Sequence, residues 1–345
     1  MAGDVDAFMA TMVMSPHPLP LERALSLVRD YYGIEARAAR LTGERDENFR
    51  LTAADGSDYV LKVAHRAEHP AVTDLTTAAL LHLESEDPAL PCPRVVRAHG
   101  GHSRVRFIDE RGTERTARLL TYLPGRPLGR TQHSQRLRAE CGRLGGRLIH
   151  ALHTFDHPAA HRAIVWDVRH AAYLARLLDQ QPDFPYPQEA VAVLKRIVPR
   201  IDSQLPRLRQ QIVHNDLNPN NILVAETGAL TGIIDFGDMT YTAVIADVAV
   251  TAAEHIPQDC SAGSGEAGAS VFDVANAYHE SVPLTGQELA MLPTLVAARL
   301  VANLVVHEWH LYRNPAGDHY RPLDADFMRT RLQIAAELSH QGSTL

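Results

Sequence analysis

The chain has 345 residues, 45% apolar and 22% charged, and 34 Lys+Arg against 41 Asp+Glu leave a formal net charge of −7. At about 150 residues per domain, this length predicts two domains or one bilobed unit with an ample core, and the composition excludes disordered and fibrous chains. The acidic balance argues against bulk nucleic-acid binding, which needs Lys and Arg against phosphates, and suits a cationic small substrate.

Residues 1–20 contain three prolines among small residues and read as a loose leader, without the basic start of a secretory signal. Residues 21–32 have helical spacing at Leu21, Leu25 and Val28. Strands are predicted over 36–41, 48–52 and 59–64. Ala54-Asp55-Gly56 joins the last two, and Asp-Gly between alternating apolar runs signals a hairpin. A helix over 73–83 follows, then strands over 94–98, 105–108 and 116–122. Arg104 to Arg118 also holds Asp109, Glu110 and Glu114 and reads as a solvated strand pair. After the connector Leu123-Pro124-Gly125-Arg126-Pro127 the pattern turns helical. Leu137, Cys141, Leu144, Leu148, Leu152 and Phe155 recur on one helical face, and 188–198 and 290–312 are also helical. Short apolar segments at 212–214, 222–224 and 232–235 lie between polar turns. Residues 261–270 read as a surface loop.

The organisation is therefore a small β-rich lobe over 1–122 and a larger, mostly helical lobe over 123–345. Cys92, Cys141 and Cys260 form no CxxC pair, so neither a disulfide framework nor a zinc ribbon is expected. The most apolar stretch, 295–306, is interrupted by Arg299 and Asn303 and is too short to span a bilayer. A soluble, cytoplasmic protein is expected, with neither membrane nor nucleic acid as partner.

The chemistry is concentrated in His214-Asn215-Asp216-Leu217-Asn218-Pro219-Asn220-Asn221 and, a little further on, Ile233-Ile234-Asp235-Phe236-Gly237-Asp238. A short strand after Asn221 would turn the chain back so that Asp235 faces Asn221. Phosphoryl transfer needs these groups: one carboxylate to orient the acceptor hydroxyl, and a carboxylate with an amide oxygen to hold Mg²⁺ on the phosphates. The spacing is that of a protein-kinase catalytic loop and its Asp-Phe-Gly, with Asn215 where an Arg is usual.

These stretches, with Gly43-Glu44-Arg45-Asp46-Glu47-Asn48-Phe49 and Leu119-Leu120-Thr121-Tyr122, resemble the aminoglycoside/choline phosphotransferase family, and within it the hydroxylysine kinase branch. The resemblance spans about residues 25 to 315 and implies an α+β, bilobed, protein-kinase-like fold. It makes Asp216 the catalytic base, Asn221 and Asp235 the Mg²⁺ ligands, and Lys62 the lysine on the α/β-phosphates of ATP or GTP. The 43–49 turn, with Arg45 and Asn48, would cover the phosphates. Residues 119–122, with Leu120 and Tyr122, would be the hinge that offers backbone groups to the base. The implied activity is phosphorylation of a hydroxyl on a small amino alcohol or hydroxy amino acid, 5-hydroxylysine-like first; an aminoglycoside, choline or homoserine-type kinase is the alternative, and a non-catalytic nucleotide-binding scaffold the more distant one.

The helix after Lys62 lacks the usual partner glutamate; Glu84 is too distant, which leaves Asp74 or the phosphates alone to hold the lysine. Asp238 reads either as an ammonium site or as a turn cap. Arg299, alone in an apolar helix, needs a partner: either a substrate carboxylate, held bidentately, or an acidic residue such as Asp247. Trp166 is either a wall of the acceptor pocket or core packing. Glu254 and Glu308 are further acidic candidates. Gly263-Ser264-Gly265-Glu266-Ala267-Gly268 fits G-x-G-x-x-G but lacks the preceding strand that a dinucleotide site requires, and the nineteen histidines read as scattered.

Overall fold

The computed structural model describes residues 2–12, 18–43, 45–129, 134–315 and 321–341. Helix α1 (Ala2–Met12) replaces the expected loose leader. Val5, Met9 and Met12 recur along one face and are buried, while Asp6 accepts a hydrogen bond from the Tyr173 hydroxyl at 2.5 Å and faces Arg176 at 3.4 Å. The segment is anchored by contacts with the helical lobe.

Helix α2 (Leu21–Tyr32) ends on Gly33, whose left-handed φ of 67° closes the C-terminus. Strands β1 (Ala36–Leu41), β2 (Glu47–Ala53) and β3 (Asp58–Val63) are antiparallel neighbours. The β2–β3 hairpin is closed by the Ser57 N–H on Asp55 Oδ1 at 2.8 Å and by Gly56 at φ 87°. After helix α3 (Pro70–Glu86) come β4 (Val95–Val96), β5 (Val105–Ile108) and β6 (Glu114–Thr121), giving the order β1-β2-β3-β6-β4 with β5 also on β6. Phe49, Leu51, Leu61 and Leu119 from this sheet and Leu27 and Val28 from α2 form one core cluster.

Strand β6 is not a solvated strand. Arg115 and Arg118 are buried, Arg115 paired with Glu47 at 2.8 Å and Arg118 donating to the Thr73 carbonyl at 3.1 Å and to the Thr76 and Thr77 hydroxyls. Their guanidiniums find acceptors inside the lobe, so burial does not strand their charge.

Strand β7 (Arg126–Pro127) begins the second part. It continues with α4 (Gln135–Ala151), α5 (Tyr173–Asp179), α6 (Pro187–Gln204), β8 (Gln210–Val213), β9 (Ile222–Val224), β10 (Leu230–Ile233), β11 (Thr240–Ala243), α7 (Val244–Glu254), α8 (Glu266–His279), α9 (Gly286–Arg313) and α10 (Ala325–Gln341). The expected 261–270 loop is cut short, because α8 starts at Glu266. Helices α4 and α8 approach closely through Gly142, Gly145 and Gly146; a Cβ on Gly142 would lie 2.3 Å from the Val274 carbonyl oxygen.

Helix α9 opens with a capping box between Thr285 and Glu288. At 28 residues it exceeds the apolar stretch recognised in the sequence. By length and composition alone it could cross a membrane, but 83% of its most apolar window is buried inside the protein. It is the spine against which α5, α6, α7 and α10 pack.

Candidate active site

Strand β8 delivers residues 214–221, and the β9–β10 hairpin brings the chain back. Ile222 pairs with Ile233, and the Ile234 N–H donates to the Asn221 carbonyl at 2.9 Å. Asn221 and Asp235 thereby face each other. Asn215 (φ 64°) and Asp235 (φ 61°) both hold left-handed backbone, which costs about 1–3 kcal/mol per non-glycine residue and persists only where the surroundings enforce it. At Asn215 the enforcement is visible. Its N–H donates to Asp247 Oδ1 at 2.8 Å, and the Tyr278 hydroxyl donates to Asp247 Oδ2 at 3.3 Å. Burial raises the Asp247 carboxyl to about 6.

His214 is buried, and burial lowers its pKa to about 4. The ring is therefore neutral. Nε2 lies 3.3 Å from the Ile234 carbonyl, and Nδ1 accepts the Asp216 N–H at 3.3 Å, which assigns the proton to Nε2.

Three side chains converge on the Asp216 carboxylate. Arg299 Nη2 donates to Oδ1 at 2.9 Å, Asn221 Nδ2 to Oδ2 at 2.8 Å, and Asn218 Nδ2 to both oxygens at 3.0 Å. Burial pushes this carboxyl up to about 8, with Arg299 pulling the other way and Asp238 adding to the rise. The side chain is 22% exposed, and all three partners are donors, so the arrangement favours the ionised form.

Asn221 Nδ2 also donates to the Asp216 carbonyl at 2.8 Å. With the amide nitrogen committed to Asp216, the amide oxygen is left for a cation. Across from it, Lys62 Nζ stands 3.4 Å from Asp235 Oδ1 and, with burial opposing, holds that carboxyl down at about 2. An ionised carboxylate and an amide oxygen are hard ligands of the kind a divalent cation takes beside phosphate oxygens. The residues present fit such an ion.

A cleft of about 590 Å³ runs from this point under the sheet, lined by Leu41, Val60, Lys62, Leu120, Tyr122, Leu223 and Ile234. Its size suits a nucleotide-sized ligand. Deeper in, a recess of about 50 Å³ is lined by Arg45, Asp46, Asn48, Lys62, Glu68, Asp216, Asp235 and Asp238.

The sequence of the phosphotransferase enzyme family (APH) matches residues 38–281. The chain belongs to that family. It is 26% identical over 328 residues to the hydroxylysine kinase of Mus musculus, covering 88% of this chain and 85% of the relative. An amicoumacin kinase, solved in complex with AMP-PNP and Ca²⁺, superposes with a TM-score of 0.67 at 18% identity, over 92% of this chain and 93% of the other. The microcompartment-associated aminopropanol kinase does so at 0.64 and 18%, over 94% and 97%. The fold is the protein-kinase-like phosphotransferase fold, and the protein is a phosphotransferase that acts on hydroxyl groups.

Within this phosphotransferase, Asp216, Asn221, Asp235 and Lys62 share one cleft, and Asn48, Leu120 and Tyr122 line it. Several expectations need correction. Lys62 does not meet Asp74, which pairs with Arg104 and faces His157 at 3.6 Å. Its neighbours are Asp235 and, at 3.7 Å, Asp46. The hinge is partly committed, since the Tyr122 N–H donates to the Asp58 carbonyl at 3.1 Å and the Thr121 N–H to Arg94 at 2.9 Å. Arg299 does not pair with Asp247; it bridges Asp216 and Glu254 Oε1, the latter at 3.1 Å, with its guanidinium 5.1 Å from the Trp166 ring. Trp166 is thus a wall against Arg299. Asp238 is paired to Arg45 Nη2 at 2.6 Å. Glu308 lies half-buried near the Leu323 backbone, away from the cleft lining. Glu44 lies outside the described residues.

Sequence reasoning missed Asp46, Glu68 and Arg162. Glu68 lines the recess, and burial with the Asp46 charge raises its carboxyl to about 7. Arg162 donates to the carbonyls of Gly237 and Met239 and braces the turn that carries Asp238. Asp46 lies inside the 43–49 stretch, beside Arg45, so the signal for it was its place in a turn already expected to face the phosphates. Arg162 had only its proximity to Trp166.

Proposed function

We propose that the protein transfers the γ-phosphoryl group of ATP or GTP to the hydroxyl of a small amine-bearing acceptor, of the hydroxy amino acid class to which 5-hydroxylysine belongs. The observation that carries this reading is the Asp216 carboxylate held by Asn218, Asn221 and Arg299 in the same cleft as the facing pair Asn221 and Asp235. The hydroxylysine kinase relative supports the acceptor class. Asp216 orients the acceptor hydroxyl and takes its proton as the new oxygen–phosphorus bond forms and the bond to the β-phosphate oxygen breaks. Asn221 and Asp235 would hold Mg²⁺, which neutralises charge on the phosphates when bound. Lys62 contacts the α/β side, and Asn48, Leu120 and Tyr122 border the nucleotide. Positioning and charge neutralisation supply most of the rate.

One observation favours a second acceptor class. Arg299 is committed to Asp216 and Glu254 and is 3% exposed, so it is not a ready clamp for a substrate carboxylate. That suits an amino alcohol without a carboxylate, as the name of the aminopropanol kinase suggests for that neighbour. The test is nucleoside-diphosphate release from ATP and GTP across 5-hydroxylysine, homoserine, threonine, ethanolamine, aminopropanol, choline and kanamycin, with Asp216→Asn as the blank. Turnover on a hydroxy amino acid that the blank lacks supports the first reading. Turnover confined to amino alcohols selects the second, and none on any acceptor sinks both.

A further inference from the structure

Asp235 and Asp238 stand at the two ends of one short turn, 236–238, with Asp235 as its N-cap. Arg162 braces this turn through the carbonyls of Gly237 and Met239. The hydrogen bond to the Asp238 carboxylate comes from elsewhere. Arg45 reaches across from the 43–49 turn of the sheet lobe and places Nη2 2.6 Å from Oδ1. Phe8 of α1 lies against the same guanidinium, 5.0 Å from its ring centre. Both partners are largely buried, with side-chain exposures of 21% and 12%.

Two of these features conflict if both residues serve the reaction as placed. Arg45 belongs to the turn proposed to cover the nucleotide phosphates, yet its charge rests on the helical lobe. Asp238 faces the recess beside Asp216, yet it is capped. A mostly buried carboxylate keeps a cation or pays a desolvation cost. The guanidinium is already close to Asp235: it contributes to that residue's lowered pKa, and Arg45 Nη2 lies 3.5 Å from where a Cβ on Gly237 would be. The same guanidinium thus acts on Asp238 and on Asp235, so phosphates bound beside Asp235 would compete with Asp238 for it. Phosphate oxygens offer it the bidentate geometry that arginine favours.

We infer that Arg45 is an exchangeable counterion: it caps Asp238 in the free enzyme and moves to the nucleotide phosphates, freeing Asp238 for the ammonium group of the acceptor. This rests on the phosphotransfer reading above and deepens it, since it makes nucleotide binding precede acceptor binding. One side chain with two mutually exclusive partners couples the two sites, and such couplings typically change affinity about 5–150-fold.

The test reads Asp238 directly and needs no acceptor. The full-length enzyme is treated with a water-soluble carbodiimide and glycine ethyl ester, which joins the amine to an accessible carboxylate as an amide, and labelling is mapped by mass spectrometry. Asp238 is expected to label weakly in the free enzyme and at least about fivefold more with magnesium AMP-PNP bound. Arg45→Gln is expected to label strongly without nucleotide. The wild-type comparison stands even where that variant fails to fold. Calorimetry run in parallel separates the two failures. Binding of AMP-PNP with unchanged or reduced Asp238 labelling overturns the exchange alone, whereas no binding overturns the phosphotransfer reading and the exchange with it.

Discussion

Replacing Arg299 by Met removes the charge beside Asp216 while keeping a side chain of similar length against Trp166. A hydrogen bond to a charged group contributes about 1.5–3 kcal/mol, and one pKa unit corresponds to about 1.4 kcal/mol. Loss of the 2.9 Å contact should therefore lift the Asp216 carboxyl by about 1–2 units from where Arg299 now holds it. The sign follows from the role: the carboxylate is the working form, so activity is lost as pH falls through the pKa. The acidic limb of kcat/KM, followed by diphosphate release between pH 6 and 10, should move upward by that amount. The substitution also strands Asp216 and Glu254, and breaking a buried pair costs about 3–5 kcal/mol. The double variant Arg299→Met/Glu254→Gln should recover part of that stability in urea unfolding while leaving the limb displaced. An unmoved limb with a tenfold or greater rise in acceptor KM would refute this reasoning and return Arg299 to the role of a substrate clamp.

Asp216→Asn keeps the shape and one acceptor oxygen but puts an NH2 group where the other oxygen accepts, and it cannot take the hydroxyl proton. It should lower kcat about 10²–10⁴-fold with nucleotide affinity, measured by calorimetry, little changed; a kcat within tenfold of wild type counts against the base. Asp235→Asn removes the carboxylate that faces Lys62 and should raise the Mg²⁺ concentration for half-maximal rate. The check is a Mg²⁺ titration at fixed nucleotide, and an unaltered midpoint would exclude Asp235 as a ligand. Gly142→Ala forces a Cβ to within 2.3 Å of the Val274 carbonyl oxygen, so α4 and α8 must separate. Overpacking of this kind costs about 1–3 kcal/mol, to be read from the denaturant midpoint, and a midpoint unchanged within error would mean that the helices yield freely.

Local signals were legible wherever the chain's own neighbours decide the outcome. Asp55-Gly56 located the β2–β3 hairpin, and the spacing of Leu21, Leu25 and Val28 located α2. Contacts between distant residues were not. Lys62 was expected to find its partner on the next helix, but Asp46 and Asp235 lie 16 and 173 positions away and are joined to it by the hairpin and the cleft. Arg115 and Arg118 looked solvated because arginines interspersed with acidic residues resemble an exposed face; their burial is tolerable because Glu47 and the Ala64 carbonyl meet Arg115, while the Thr73 carbonyl and the Thr76 and Thr77 hydroxyls of α3 meet Arg118. The α1 helix did carry a signal, the spacing of Val5, Met9 and Met12, which the neighbouring prolines obscured. Asp247 carried the same signal as Arg299, a lone charge inside an apolar helix. Applied there, the requirement for a partner would have led to the loop backbone at Asn215.

The charges of the recess explain what kind of cargo it suits. Five acidic side chains, Asp46, Glu68, Asp216, Asp235 and Asp238, line it against two basic ones, Lys62 and Arg45. Three of the five respond to this crowding in different ways. Asp235, beside Lys62, falls to about 2, whereas Asp216 and Glu68 rise to about 8 and about 7, mainly through burial. Such a recess repels a bare polyphosphate and welcomes one accompanied by a divalent cation, because the cation restores the charge balance that the protein leaves incomplete. An amine-bearing acceptor benefits from the same excess. The acidic excess of the recess thus lies where metal, phosphates and ammonium would have to meet, and of the two basic residues that reach across from the sheet lobe, Lys62 to Asp235 and Arg45 to Asp238, Arg45 is the one whose position sets how much of the Asp238 charge is exposed.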